Sequence, residues 1–341
     1  MKSSTLFLPL LALVSFAAAA DKVGEVQQVA PGVYFHQGDI AKSGHCNHGW
    51  IVFKDYVLVV DANFPSGAQE IIPKIRKTTD KPIKFVFDTH HHGDHAYGNK
   101  VFADAGATVV AHEGVLASMK EHETGAFGGK PGRWEFAAKG RPDVKASKLH
   151  PPTLLFDKKK VFEDGQRSVE LLHFGMAHTK GDGFAWLPKE KILFTGDACV
   201  NGPFNYVGDG DTAQWVKTLE LAQKLGAETI CPAHGPVGTK QVLIDQIAYF
   251  KAIRAEVAKL AGKKPEEAKA AAPAIRETLL KNAQIQRYVG QFIDSQIEKI
   301  FIEMGGEPFT PKTAARDVKF ELPVVAARPA GPKAFFTADF K

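Results

Sequence analysis

Residues 85–99 read FVFDTHHHGDHAYGN, and the rest of the chain is arranged around them. Phe85, Val86 and Phe87 form a short apolar run with the character of a buried strand, and Gly93 and Asp94 mark a loop at its end. Within that loop stand His90, His92, Asp94 and His95. Side chains two positions apart in an extended chain point the same way, so His90 and His92 can grip one ion while the turn at Gly93 aims Asp94 and His95 at another. Imidazole nitrogens and carboxylate oxygens are usual ligands of zinc. The alternative is a solvated histidine-rich tract that takes up metal adventitiously, and a cluster of this density argues against it.

The chain has 341 residues, 44% hydrophobic and 24% charged, enough for one large globular domain or a core with appendages. Its start, Met1 to Ala20, carries Lys2, an apolar run from Leu6 to Phe16, and four alanines ahead of Asp21. A basic start, a hydrophobic segment too short to span a membrane and an Ala18-x-Ala20 cleavage site read as a signal peptide over residues 1–20. A secreted or periplasmic protein beginning at Asp21 is therefore expected. No later stretch is long and apolar enough to cross a bilayer. The net charge of +5 is mild and no basic run is interleaved with aromatics, so no nucleic-acid partner is expected. Lys158 to Lys160, the densest positive cluster, reads as a solvated turn. Cys46, Cys199 and Cys231 are too few for a disulfide scaffold and odd in number, and each reads as a small buried hydrophobe.

Val26 to Gln37 and Trp50 to Val60 read as strands, the second ending at Asp61, a carboxylate placed to accept backbone N–H bonds from a neighbouring loop. Ser66 to Lys77 reads as a helix, Pro82 to Asp88 as the strand feeding the motif, His95 to Ala105 as the helix leaving it, and Thr108 to Ala111 as another strand. This alternation implies a sheet covered by helices. Glu113 to Pro152 breaks it: a helix to His122 gives way to a glycine-rich stretch that contains Phe127, Trp134 and Phe136, read as a long loop covering a site. Strands then resume at Val169 to Phe174, Phe184 to Leu187 and Lys191 to Thr195. Three further ligand candidates each follow an apolar stretch in a turn-rich segment: His178 in GMAHTKGD, Asp197 in LFTGDA and His234 in CPAHGP.

The ordered set His90, His92, Asp94, His95, His178, Asp197 and His234 resembles the metallo-β-lactamase superfamily, over about residues 29–250. The resemblance implies an α+β fold, a four-layered αββα sandwich of two similar halves with the site along one edge of the paired sheets. It assigns His90, His92 and His178 to one zinc, and Asp94, His95 and His234 to the other, with Asp197 bridging them. Two metals about 3.5–4 Å apart can share a hydroxide as nucleophile at neutral pH, and Asp94 is implied as an aid to orienting the attacking water. Thr89, Thr179 and Asp182 are candidates for supporting the ligands or are ordinary turn residues.

The expected domain plan is a signal peptide over 1–20, the metallo-β-lactamase-like unit over 21–250, a helical extension over 251–305 and an extended arm over 306–341. Helices are expected at Gln241 to Leu260, Pro265 to Lys281 and Gln284 to Met304, packing on the core or offering a dimer contact. The implied function is a dinuclear zinc hydrolase, with iron or manganese as other metals, acting on an ester, thioester, lactone, amide or phosphoester of a small molecule. The alternatives are a β-lactamase, an oxidoreductase similar to the mononuclear iron persulfide dioxygenases, and a non-catalytic zinc-binding partner of a periplasmic redox system. β-Lactamases commonly carry cysteine or serine where Asp197 stands. Trp134, Phe204, Asn205 and Tyr206 are the candidate substrate contacts, since apolar rings around a few polar groups are what a small-molecule pocket presents.

Overall fold

The protein, seen in a computed structural model, is described over residues 22–122 and 132–309. The stretch expected to be a signal peptide, Phe127 with its neighbouring glycines, and the residues from 310 onward expected to form an arm lie outside the described residues. Seven strands form one sheet in chain order: β1 (Val26–Ala30), β2 (Val33–His36), β3 (His48–Val52), β4 (Val57–Val60), β5 (Ile83–Asp88), β6 (Thr108–His112) and β7 (Leu154–Phe156). The first four run antiparallel, and β4 to β7 run parallel. The second sheet runs in reverse order from β13 (Gly238–Thr239) through β12 (Thr229–Cys231), β11 (Ile192–Phe194), β10 (Phe184–Leu187) and β9 (Ser168–Leu172) to β8 (Lys159–Glu163). Only its β11–β12 pair is parallel.

Period-two alternation sorts the strand residues between cores. Ile51, Leu58, Val60, Phe87 and Val110 point inward to meet Leu171, Ala185, Leu187, Ile192 and Phe194 of the second sheet. Their neighbours Trp50, Val57, Val59, Val86 and Val109 point outward onto α1 (Pro65–Arg76), through Ile71 and Ile75. Both faces of these strands are thus buried, which is why they read as unbroken apolar runs. On the far side, Phe184, Trp186, Leu193 and Ile230 pack outward against Trp215, Phe250, Ile275 and Ile297 of helices introduced below. Each such side chain contributes about 1.5–3 kcal/mol on burial, and the outcome is the expected four-layered αββα sandwich with C-terminal helices.

Several boundaries differ from the sequence reading. The segment after the motif is two short helices, α2 (Gly93–Ala96) and α3 (Asn99–Asp104), because the chain turns at Tyr97–Gly98, where Gly98 donates its N–H to Asn63 O at 2.6 Å. After α4 (Glu113–Met119), the stretch read as loop contains α5 (Arg133–Gly140) and α6 (Pro142–Lys145). Lys159 and Lys160 belong to β8 and not to a turn: this edge strand inserts Phe162 into the inter-sheet core and leaves Lys159 exposed and Lys160 half-buried. Beyond α7 (Thr212–Gln223), the extension is α8 (Gln241–Ala258), α9 (Pro265–Leu280) and α10 (Ile293–Glu303). The expected helix from Gln284 to Met304 begins only at Ile293, after a single 3-10 turn at Gln286–Tyr288, since the chain between must pass the loop at Pro203. Residue 250 falls inside α8, and the core of the extension is continuous with that of the second sheet.

Candidate metal centre

The carboxyl ends of the parallel pairs β4–β5 and β11–β12 open on one rim of the sandwich, the edge where α/β sheets place their ligands. Asp61 follows β4, the histidine motif follows β5, Asp197 follows β11 and His234 follows β12, while the β9–β10 connection brings in His178. His90, His92, His178 and Asp197 offer one ligand atom each within 4.8 Å of one another; Asp94, His95 and His234 form an adjoining set by the same measure. All seven candidate ligands from the sequence therefore converge.

Asp197 lies between the sets. Its Oδ2 is 3.4 Å from His178 Nε2 and 4.0 Å from His90 Nε2, while Oδ1 is 3.1 Å from His234 Nε2 and 3.4 Å from His95 Nε2. Asp94 Oδ2 sits 3.3 Å and 3.4 Å from the same two nitrogens. Gly196 (φ 53°) lets the chain present Asp197 so closely, for a Cβ there would stand 2.5 Å from Thr89 Oγ1.

The hydrogen bonds behind the ligands decide which nitrogens face inward. His178 Nδ1 bonds Tyr206 O at 2.9 Å and so carries its proton there. His92 Nε2 lies 2.7 Å from Asp209 Oδ2 and is the donor in that pair. The remaining nitrogens, His92 Nδ1 and His178 Nε2, are then two lone pairs 2.8 Å apart. A cation between such lone pairs turns their repulsion into ligation. His90 Nε2, His95 Nε2, His234 Nε2 and Asp197 Oδ1 are buried and make no well-directed hydrogen bond, a cost that metal ligation removes. The donor set thus fits a pair of borderline dications.

Asp61, held at φ 63°, supports both sets. It accepts the N–H and hydroxyl of Thr89 at 2.8 Å, Thr89 Oγ1 in turn lies 3.2 Å from His90 Nδ1, and Asp61 Oδ2 is 3.0 Å from His95 Nδ1. Asp182 accepts from the N–H groups of Ala177 and Thr179 and from the Thr179 hydroxyl, fixing the loop that carries His178. Sequence reasoning missed Asp209 and Arg133, which pairs with Asp209 at 2.9 Å. Asp209 lies in the turn GDGD, whose only signal is loop character.

Charge divides the sets. Burial, reinforced by neighbouring imidazoles, keeps His90 well below the ordinary histidine range, and burial lowers His92 despite Asp209. Burial also opposes charge on His234, but Asp197 and Asp94 together outweigh it and raise the imidazole to about 9; against the same penalty His95 is raised well above its usual range by Cys46, Asp94, Asp61 and Asp197. Asp94 and Asp197, though buried, are held well below the carboxylate range by these imidazoles.

Of the candidate substrate contacts, Phe204 packs on His234 with ring centres 4.6 Å apart, and Tyr206 lies 5.9 Å and 6.0 Å from His92 and His178. Asn205 is buried with its amide turned inward, bonding Gly202 O and Gln246. Trp134 lies against Tyr97, 4.6 Å between centres. The three cysteines are buried and unpaired, and burial pushes each thiol up.

An αββα sandwich with adjoining His/Asp sets at one rim defines a metallohydrolase-type architecture. The chain belongs to the metallo-beta-lactamase superfamily, whose family model matches residues 42–234. It is 23% identical over 201 residues to the metallo-beta-lactamase type 2 of Bacillus cereus, a stretch spanning 57% of this chain and 69% of that protein. Among solved structures it is similar to the metallo-beta-lactamase from Pontibacter korlensis (TM-score 0.55, 20% identity, 67% of this chain and 98% of the other). It is also similar to the DIM-1 metallo-beta-lactamase (TM-score 0.54, 20% identity, 68% and 99%). Members of this superfamily are mostly metal-dependent hydrolases. Among the described residues no helix is long and apolar enough to cross a membrane.

Proposed function

We propose that this chain is an exported metal-dependent hydrolase with a dinuclear zinc centre, cleaving an ester, thioester, lactone, amide or phosphoester bond in a small molecule. The reading is carried by the division of Asp197, one carboxylate oxygen toward His90 and His178 and the other toward His95 and His234. His90, His92 and His178 would hold one ion, Asp94, His95 and His234 the other, and Asp197 both. When bound, such a pair activates water near neutral pH and polarises the bond under attack.

The chain's own residues supply the rest. Asp94 Oδ2, 3.3–3.4 Å from two imidazoles, is placed to orient the attacking water. The ring of Tyr206 lies beside His92 and His178 of the first set. β-Lactams belong among the substrates to test because relatives bear that name; the aspartate at 197 favours the thioester, lactone and phosphoester classes. Export rests on the leader over residues 1–20, and mass spectrometry of the native protein should find a chain beginning at Asp21.

The test is elemental analysis of the mature protein beside a panel of β-lactam, lactone, thioester and phosphodiester substrates. Two ions per chain with turnover of one class is the expected result. One ion per chain, or two without turnover of any class, overturns the reading.

A further inference from the structure

The C-terminal extension reaches the metal rim. The loop carrying Phe204 and Tyr206 is fastened to it by buried amides: Gln246 of α8 donates to Asn205 Oδ1, and Gln296 of α10 donates to Asn205 O while accepting from Tyr249. Ahead of α10 the backbone comes so close that a Cβ on Gly290 would stand 2.5 Å from Pro203 Cβ. This approach sets the Phe292 ring edge-on to Phe204 at 5.3 Å and to Tyr206 at 6.1 Å. Aromatic side chains that only fill the core here are fully enclosed, as Tyr249 and Phe250 are at 0% exposure. Phe204, Tyr206 and Phe292 are instead half-buried. Through Phe204 on His234 and Tyr206 beside His92 and His178, they run from one ligand set to the other.

Resting on the hydrolase reading, we propose that Phe292 is a substrate-binding residue, and that this three-ring wall selects a substrate with an aromatic or other flat apolar group beside the scissile bond. Rings carried on backbone that buried hydrogen bonds fasten lose little freedom on binding, and edge-to-face contact with a flat group adds directional preference to the burial of apolar area. The extension would thus complete the pocket as well as cover the second sheet.

The test is calorimetric binding of two product-like carboxylates, phenylacetate and acetate, to the full zinc-loaded chain. Wild type should favour phenylacetate by about tenfold or more, the scale on which an apolar pocket discriminates. Phe292→Ala should abolish most of that preference, Phe292→Leu should retain part of it, and Leu280→Ala, on the far exposed face of α9, should keep it whole. Zinc content and Tm are recorded for each; should Phe292→Ala lose metal or unfold, Phe292→Leu decides. Equal binding of the two ligands by wild type overturns the proposal, as does a preference that survives whole in metal-replete Phe292→Ala or stays undiminished in metal-replete Phe292→Leu. Preference without turnover of any substrate leaves this wall standing and removes the hydrolase reading. Turnover without preference does the reverse.

Discussion

His90, His92 and His178 on one side of Asp197, and Asp94, His95 and His234 on the other, share the motif after β5 and each take one histidine from the second half of the chain, yet they differ in charge. Burial keeps His90 and His92 low in pKa, so their lone pairs are available at neutral pH. His95 and His234 face two carboxylates and are raised, so protons hold the positions a metal would take. The first set is organised from behind, by Tyr206 O and Asp209; the second balances its own charge. One set is therefore poised for a cation, while the other must exchange protons for it.

Asp197 is where the comparison breaks most completely, because it serves both sides. In Asp197→Asn two dications would share the rim without their common anion. Leaving a buried charge unpaired costs about 3–5 kcal/mol, and affinity should fall a hundredfold or more, with the first set emptying first because Asp197 is its only carboxylate while the second set keeps Asp94. Chelator competition followed by elemental analysis measures this; an Asn variant that retains the wild-type metal content would show that Asp197 does not join the sets.

Asp209→Ala should act on the first set alone. Without Asp209 the His92 ring is free to turn or to move its proton to Nδ1, and loss of such a supporting carboxylate lowers metal affinity about 10–100-fold. Arg133→Ala, acting through Asp209, should give a smaller loss in the same set. If either variant weakened the set containing His234 as much, the separation of the two would fail.

The pH dependence of binding sharpens the contrast further. In the metal-free protein His234 is protonated below about 9 and His95, raised well above its usual range, is protonated with it, so metal entering the second set releases both protons, and its affinity should fall about a hundredfold for each pH unit below 9. His90 and His92 are lowered, so the first set should show little slope between pH 7 and 9. Stepwise metal titrations across that range give both slopes, and equal slopes would contradict the charge division.

Much of this centre is legible in the sequence because its ligands follow buried strands in turn-rich segments, and Asp61 was readable as a loop-fixing carboxylate for the same reason. The unreadable parts depend on distance along the chain. Asp209 meets His92 from 117 positions away, and nothing in GDGD distinguishes it from a turn. Phe292 sits on a helical pattern whose apolar spacing predicted a longer helix, and only the approach of Gly290 to Pro203 reveals why it stops. β8 escaped notice because an edge strand with a single buried residue, Phe162, carries almost no alternation.

Trp134 offers the smallest and most local test. Its ring packs on Tyr97 beside Phe64 and Val144, and Tyr97 in turn bonds His122 at 2.7 Å. Arg133, its neighbour in α5, reaches Asp209 and hence the first ligand set. A substrate contact at Trp134 would appear in KM with stability unchanged, whereas an anchor for α5 would appear in stability first. The packing favours the anchor: truncating a half-buried ring should cost about 1–2 kcal/mol, seen as a Tm lowered by about 2–6 °C. Because α5 also holds Arg133 in place, Trp134→Ala should weaken the first set by less than Arg133→Ala does and leave the second untouched. Metal titration and thermal melts of the two variants side by side settle the order; a Trp134 variant with unchanged Tm and raised KM would instead place this ring against the substrate.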